Sequence, residues 1–352
     1  MRGETGLPKF EHLFYKPQKR LVCRVIFQVD RHFHSPHVHD IEIVMEPRSP
    51  GVESRAVHVP VLVREVLAQL QLSPGMTVVD GTVGAGGHSH EILKVIGGSG
   101  KLIGLDRDPM MLAHASKRLT GENVVLRCAS YITLPTLLAE LNIDSVDRML
   151  LDLGLSSDQL SDHSRGFGFS SDGPLDLRFN IFTGQSAAEV LTQWSAGQLE
   201  QIFRDFGEEP QARPLAEFLV KQRATQPIRT GLDLSAAVSE CPAIRRQGPS
   251  DKNPATRIFQ ALRIAVNHEL DHVQEGISSS CFQSLKVGGL LAVITFHSLE
   301  DRLVKNEFRR AERWENLTSK PIIATPQEQR FNPRCRSAKL RVAMKKAASS
   351  NT

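Results

Sequence analysis

No run of about eighteen apolar residues occurs in this 352-residue chain, so the sequence offers no membrane-spanning helix. Cysteine is sparse. The five cysteines (Cys23, Cys128, Cys241, Cys281, Cys335) form no Cys-x-x-Cys pair, which removes a metal framework and suits a reducing compartment. A strong excess of one charge is also missing. Net charge is +4 and the pI is near 8.8, a weak pointer to a polyanionic partner. No internal repeat is visible. What remains, 40% hydrophobic and 23% charged residues, describes a globular chain rather than a disordered one.

Residues 1 to about 55 show no clear periodicity and read as a flexible leader. Tyr15 to Arg31 is basic and partly apolar, as transit peptides are, but Glu4, Glu11, Asp30, Asp40 and Glu42 argue against one. The cluster from His32 to His39 resembles a metal tract in composition, yet is read as part of that leader, and no metal site is expected. Met45 is a second candidate start.

From His58 the texture changes. Leu62, Val66, Leu67 and Leu70 recur at helical spacing, and Pro74-Gly75 punctuates before a strand from Thr77 to Asp80. Residues Glu91 to Val95 open a helix. Further strands are expected over Lys101–Asp106, Asn123–Arg127 and Val146–Leu151, separated by helices over Pro109–Leu119 and Leu134–Leu141. Such alternation implies a mostly parallel sheet covered by helices on both faces. The rhythm then breaks. Residues 157–255 read as a helical insertion, with a polar linker at Gln247–Pro254, and a long amphipathic helix runs from about Ala255 through Leu270 towards Leu285. A strand over Leu290–Phe296, a helix over Leu299–Arg313 and a strand over Ala338–Met344 return the chain to the sheet. The expected domains are therefore a core (56–156 and 256–346), the insertion, and a tail (347–352).

The stretch from Val78 to Ser89 organises the core. Its pattern is Asp-Gly-x-x-Gly-x-Gly-Gly, with four glycines between Gly81 and Gly87 that let the backbone turn tightly and approach a ligand. The next strand ends on Asp106, where a ribose hydroxyl could be held. A glycine turn alone does not separate nicotinamide enzymes, flavoenzymes and methyltransferases. Three details narrow it. The turn begins with Asp80, which suits a cofactor carrying an amino-acid tail with an ammonium. There is no second nucleotide-binding half. The fourth strand ends in Asp152-Leu153-Gly154-Leu155-Ser156-Ser157, placing an acid in the crevice where open α/β sheets bind ligands.

These words and others resemble the MraW/RsmH family, the S-adenosylmethionine-dependent 16S ribosomal RNA cytosine-N4 methyltransferases. The matching stretches run in family order: His58 to Leu62, Asp80 to Ser89, Asp106 to Pro109, Asp152 to Leu160, Arg165 to Phe169, Asp172 to Arg178, Gly207 to Glu209, Asn253 to Ile264, Phe296 to Arg302 and Asn332 to Arg341. The resemblance implies an α/β class I methyltransferase (Rossmann-like) fold with an inserted helical domain. It implies that Gly86, Gly87 and His88 line the methionine end of S-adenosylmethionine and that Asp106 takes the ribose hydroxyls. It also implies that Tyr131, where the family often has Phe, sets its ring against the adenine and that Asp152 and Gln159 complete the pocket. Leu177 and Phe179 replace methionines the family often carries beside Arg178, which leaves the shape of the substrate side open.

The implied substrate sets the chemistry. A cytosine exocyclic amine is a poor nucleophile, so it must be held in line with the methyl donor and relieved of a proton, and the base must leave its stack to get there. The usual word of an acid or Asn before Pro-Pro-aromatic is absent, so the acceptor stays open among Ser156, Asp176 and His297. Candidate RNA contacts are Arg165, Arg178, Arg257, Arg263, Arg302, Arg334 and Arg336, the last two within a basic tail. Glu208 and Glu209 read as structural, capping or pairing with Arg213. The expected activity is methyl transfer to N4 of a cytidine in 16S ribosomal RNA of the small ribosomal subunit, near the decoding centre. The setting is the cytoplasm, with a mitochondrion or plastid as the alternative. A non-catalytic ribosome-assembly factor and an NAD-dependent oxidoreductase are the competing readings.

Overall fold

A computed structural model describes residues 60–245 and 253–347, together with two short strands nearer the start. Those strands, β1 (Cys23–Ile26) and β2 (Asp40–Ile43), pair antiparallel in a stretch where the sequence shows no period. The transit-peptide question, the His32–His39 cluster, Met45, and most of the linker and tail lie outside the described residues.

The main sheet is built from β3 (Thr77–Asp80), β4 (Lys101–Asp106), β5 (Val124–Cys128), β6 (Val146–Asp152), β7 (Leu285–Thr295), β8 (Trp314–Asn316), β9 (Ile322–Ile323) and β10 (Lys339–Lys345). The order is β5-β4-β3-β6-β7-β10-β8, with β9 also on β10. The five strands from β5 to β7 are parallel, and β10 returns antiparallel against β7. Strand side chains alternate between faces. Leu290, Ala292 and Ile294 of β7 join a core with α1 (Val63–Leu70), α2 (Gly87–Ile96) and α3 (Pro109–Arg118). Leu291 and Val293 join the opposite core, under α4 (Leu134–Glu140), α12 (Glu269–Glu275), α13 (Cys281–Ser284) and α14 (Ser298–Phe308).

After β6 come a short α5 (Ser157–Ser161) and then α6 (Ala187–Gln193), α7 (Ala196–Asp205), α8 (Ala212–Gln222), α9 (Gly231–Glu240), α10 (Pro242–Arg245) and α11 (Thr256–Asn267). Serine or threonine caps with a partner three residues on start α5, α6, α7 and α9. Their apolar faces close on one another around Phe203, Leu215, Leu234 and Leu262. Helix α11 shares that cluster, although it follows residue 255 in sequence.

The expected long helix from Ala255 towards Leu285 is broken. His268 sits in the left-handed region (φ 51°) between α11 and α12. Tertiary bonds hold the break: Asn267 Nδ2 donates to Leu177 O (2.7 Å), and its Oδ1 accepts from Phe179 N (2.7 Å). A π-helical turn over Gly276–Ser280 follows, and β7 starts at Leu285 rather than Leu290. Helix α14 stops at Phe308. The strands β8 and β9 and helix α15 (Pro326–Phe331) fill what reads as loop in the sequence.

Candidate active site

The strand order reverses between β3 and β6, and a cleft opens at the carboxyl ends of these strands, as open α/β sheets dictate. Its floor is the glycine turn after β3. Asp80 does not line it. Instead its carboxylate, 1% exposed, accepts from Ser89 Oγ (2.7 Å) and Thr82 N (3.2 Å), and burial raises its pKa. The acid expected near a ligand's ammonium therefore staples the turn to the start of α2. Gly86 caps α2 with φ 81° and also stays off the cleft wall, whereas Gly84, Gly87 and His88 line it. A Cβ on Gly87 would stand 2.5 Å from Pro60 Cγ, so the close approach requires glycine.

His88 and Asp152 face each other across the turn. Nε2 of His88 lies 3.4 Å from Asp152 Oδ2 without the alignment of a hydrogen bond. Burial pulls the His88 pKa down, but the Asp152 carboxylate, with Asp80 behind it, outweighs burial and raises it. His88 Nε2 and Asp152 Oδ1 are both buried without a hydrogen-bond partner among the described residues. Such orphaned groups in a cleft fit a polar ligand end.

Asp106 lines the cleft at the end of β4. It accepts Gly84 N (2.8 Å) on Oδ2 and Asp108 N (2.8 Å) on Oδ1. Burial, then repulsion from Asp108, pushes its pKa up to about 7. Next along the wall, the Tyr131 ring meets His272 edge-on at 6.5 Å, and Ser130 Oγ bonds His272 Nδ1 (2.7 Å). Burial, reinforced by Arg107, holds the His272 pKa near 3, so this wall carries no imidazolium charge. Gln159 lines the cleft too. It closes the cap of α5 and donates from Nε2 to Asp108 Oδ2 (2.8 Å).

The three acceptor candidates separate. Ser156 is at the cleft but caps α5, its Oγ accepting from Gln159 N (3.0 Å) and donating to Met111 Sδ (3.2 Å). Asp176 is off the cleft wall. Its carboxylate is taken by Arg178 in a two-point pair (2.8 and 2.7 Å). His297 caps α14 and sets Nε2 3.1 Å from Glu300 Oε1. It too stays off the cleft wall, but Glu300 and Glu269 line it. Among the described residues, Glu269, His297 and Glu300 have donor atoms within 4.8 Å of one another, the spacing of a metal cluster. The expectation of no metal site has this one geometric exception.

The arginines divide by burial. Arg165 is 3% exposed, pairs with Asp108 (2.9 Å) and donates to the carbonyls of Arg178 (2.7 Å) and Phe179 (3.0 Å). It cannot reach RNA phosphates, which corrects that expectation. Arg263 is also enclosed, with Nε on Glu269 Oε1 (2.8 Å). Arg334 lines the cleft and donates to Leu155 O and Ser157 Oγ. Arg178 is held by Asp176, so the candidates with open surface are Arg257, Arg302 and Arg336. Glu209 pairs with Arg257 (3.3 Å) and Glu208 with Arg302 (3.5 Å), while Arg213 turns to Glu217. Sequence reasoning missed Glu269, His272, Glu300 and the cleft-lining role of Phe179. The available signal was an acid inside an otherwise apolar helical stripe, as at Leu299-Glu300.

A parallel sheet with an antiparallel return strand, a glycine turn after its first core strand and an acid ending the next defines a class I methyltransferase. The chain matches the model of the MraW methylase family over residues 55–346. It is 47% identical over 309 residues to a ribosomal RNA small subunit methyltransferase H from Trichlorobacter lovleyi, covering 82% of this chain and 98% of that one. A protein of the same name from Heliobacterium modesticaldum is 41% identical over 310 residues, with 82% and 98% covered. Among solved structures, the chain is similar to a putative rRNA-methylase from Clostridium thermocellum (13% identity, TM-score 0.41, 82% and 100% covered). The chain belongs to the MraW methylase family.

Proposed function

We propose that this protein transfers the methyl group of S-adenosylmethionine to N4 of a cytidine in 16S ribosomal RNA, near the decoding centre of the small ribosomal subunit. The chain is a methyltransferase of the kind that modifies ribosomal RNA. The observation that carries the finer reading is the meeting of Asp106, the His88–Asp152 pair and the Asp152–Ser157 loop in one cleft beside the helical insertion. Those groups fit S-adenosylmethionine. Asp106 retains acceptor capacity for ribose hydroxyls, Tyr131 and His272 offer an uncharged wall for adenine, and the orphaned atoms of His88 and Asp152 suit the methionine end. When bound, that molecule supplies an electrophilic methyl on a sulfonium. The protein's part is to hold the amine in line with it and to exclude water.

The competing readings weaken on the same grounds. Residues 55–346 match a methylase family, which opposes a nicotinamide enzyme. The cleft keeps its cofactor groups, which opposes a non-catalytic assembly factor. No helix among the described residues is long and apolar enough to cross a membrane. A bacterial cytoplasm suits the buried, unpaired cysteines Cys128, Cys241, Cys281 and Cys335, with an organelle matrix as the alternative. Mass spectrometry of ribosomal RNA from cells with and without the protein tests the reading. A cytidine methylated on N4 only when the protein is present supports it, and an unchanged modification map refutes it.

A further inference from the structure

Two glutamates are enclosed in the wall of the cleft. Glu269 begins α12, Glu300 lies in the first turn of α14, and both line the cleft. Their side chains are 6% and 1% exposed. Glu300 is held on one oxygen: Oε2 accepts from Phe296 N (2.8 Å), while Oε1 lies 3.1 Å from His297 Nε2 without the alignment of a hydrogen bond. Glu269 is half held. Oε1 accepts from Arg263 Nε (2.8 Å), so that guanidinium engages one of its two oxygens. Glu300 is tied to the Asp152–Ser157 loop through Phe296, whose ring packs against Gly154, where a Cβ would meet it at 3.4 Å. His297 adds a second sign of a missing partner. Its side chain is 10% exposed, and its buried Nε2 has no hydrogen-bond partner.

Charge narrows the ligand. Two buried carboxylates share the guanidinium of Arg263 and the ring of His297, an acceptor-rich wall that favours the entry of a donor-rich group. An exocyclic amine carries two N–H donors and no acceptor. A uracil-type O4 would instead set lone pairs against carboxylate oxygens.

We propose that Glu269 and Glu300 form the receptor for the exocyclic amine of the target base, with the second oxygen of Glu269 accepting its hydrogen. This rests on the cytidine reading above. The site selects an amine-bearing pyrimidine over a keto one by the donor rule that pairs carboxylates with cytosine N4. In the transfer step, the amine nitrogen forms a bond to the methyl carbon, the carbon–sulfur bond breaks with its electron pair going to sulfur, and one amine proton passes to the carboxylate. The products are a neutral methylamino base, a neutral thioether and a protonated glutamate.

The test uses the full chain, immature small subunits carrying either cytidine or uridine at the mapped target, and Glu269→Gln and Glu300→Gln. Affinity for each subunit is measured by filter binding at fixed salt, and S-adenosylmethionine affinity by calorimetry reports intact folding. The wild-type protein is expected to prefer the cytidine subunit about tenfold or more. Either variant is expected to lose that preference while keeping S-adenosylmethionine affinity, with Glu269→Gln inverting it because an amide N–H then faces the base. Equal preference in variants and wild type, or no preference in the wild type, overturns the proposal. So does stoichiometric Mg2+, Mn2+ or Zn2+ binding abolished by Glu269→Gln, which would make the cluster a metal site. Absence of methyl transfer by the wild type to the cytidine subunit would overturn the cytidine reading itself.

Discussion

Arg165 Nη1 lies 2.9 Å from Asp108 Oδ2, with side chains only 4% and 0% exposed. Asp108 in turn donates its backbone N–H to Asp106. Arg165 also holds the carbonyls of Arg178 and Phe179, so one guanidinium ties the segment entering the helical insertion to the strand end proposed to hold the ribose.

Breaking this pair from one side leaves a buried, uncompensated carboxylate. Arg165→Met is expected to lower stability by about 3–5 kcal/mol in urea unfolding. Arg165→Met combined with Asp108→Asn should recover part of the loss, because the stranded charge is then gone. A single-variant loss within about 0.5 kcal/mol would show that the pair is solvated.

Asp106 gives a pH signature. Its carboxyl titrates near 7 rather than 3.8, because burial and then Asp108 disfavour its charge. A carboxyl whose pKa rises on folding favours the folded state while protonated, so this contribution is complete below 3.8 and lost as pH climbs through about 7. Ribose hydroxyls donate to the ionised form, so S-adenosylmethionine affinity should rise with pH and level off above about 7. Binding below that pH should release a proton. Calorimetry in buffers of different ionisation heat measures it. Asp106→Asn should bind more weakly, by roughly 1.5–3 kcal/mol, and lose the proton release.

The Tyr131 wall, proposed to face adenine, depends on a glycine far away in sequence. A Cβ on Gly276 would fall 2.3 Å from Tyr131 Cε2. Gly276→Ala should therefore push the ring into the cleft and weaken S-adenosylmethionine binding, at an overpacking cost of about 1–3 kcal/mol. Adding Tyr131→Leu should relieve the clash. Unaltered binding by Gly276→Ala in the same titration would mean the π-helical turn shifts instead.

These contacts show what the sequence carried and what it did not. Local period and local turn chemistry made β3, β4, β6 and the glycine turn readable. The strand ends at Asp80, Asp106 and Asp152 were legible for the same reason. The break at His268 was not, because Asn267 is fixed by Leu177 and Phe179, about ninety residues earlier in the chain. Arg165 and Arg263 read as surface cations for a similar reason. Nothing adjacent to them reveals Asp108, and the Glu269 partner of Arg263 lies beyond the helix break. The side of Asp80 that faces Ser89 was likewise hidden by the appeal of an acid beside a ligand.

The family match begins at residue 55, and the described part of the sheet and cleft begins at residue 60. Removal of residues 1–44 is expected to leave S-adenosylmethionine affinity and methyl transfer unchanged. A truncated protein that binds S-adenosylmethionine but fails to methylate small subunits would assign the leader to RNA recognition.

Arg334 and Arg336 are two residues apart but should behave differently. Arg334 is drawn into the cleft wall, where burial lowers its pKa and its guanidinium grips Leu155 O and Ser157 Oγ. Arg336, in the same short 3-10 helix, is exposed. If Arg336 contacts a phosphate, Arg336→Ala should weaken RNA binding uniformly and reduce the salt slope of log affinity by about 0.7–0.9. Arg334→Lys keeps the charge but loses the two-point fork that fixes the loop. It should lower the transfer rate with little change in that slope. Filter binding across a salt series, with single-turnover transfer on the same samples, separates the two roles. A reduced slope for Arg334→Lys would move that residue to the phosphate-binding surface.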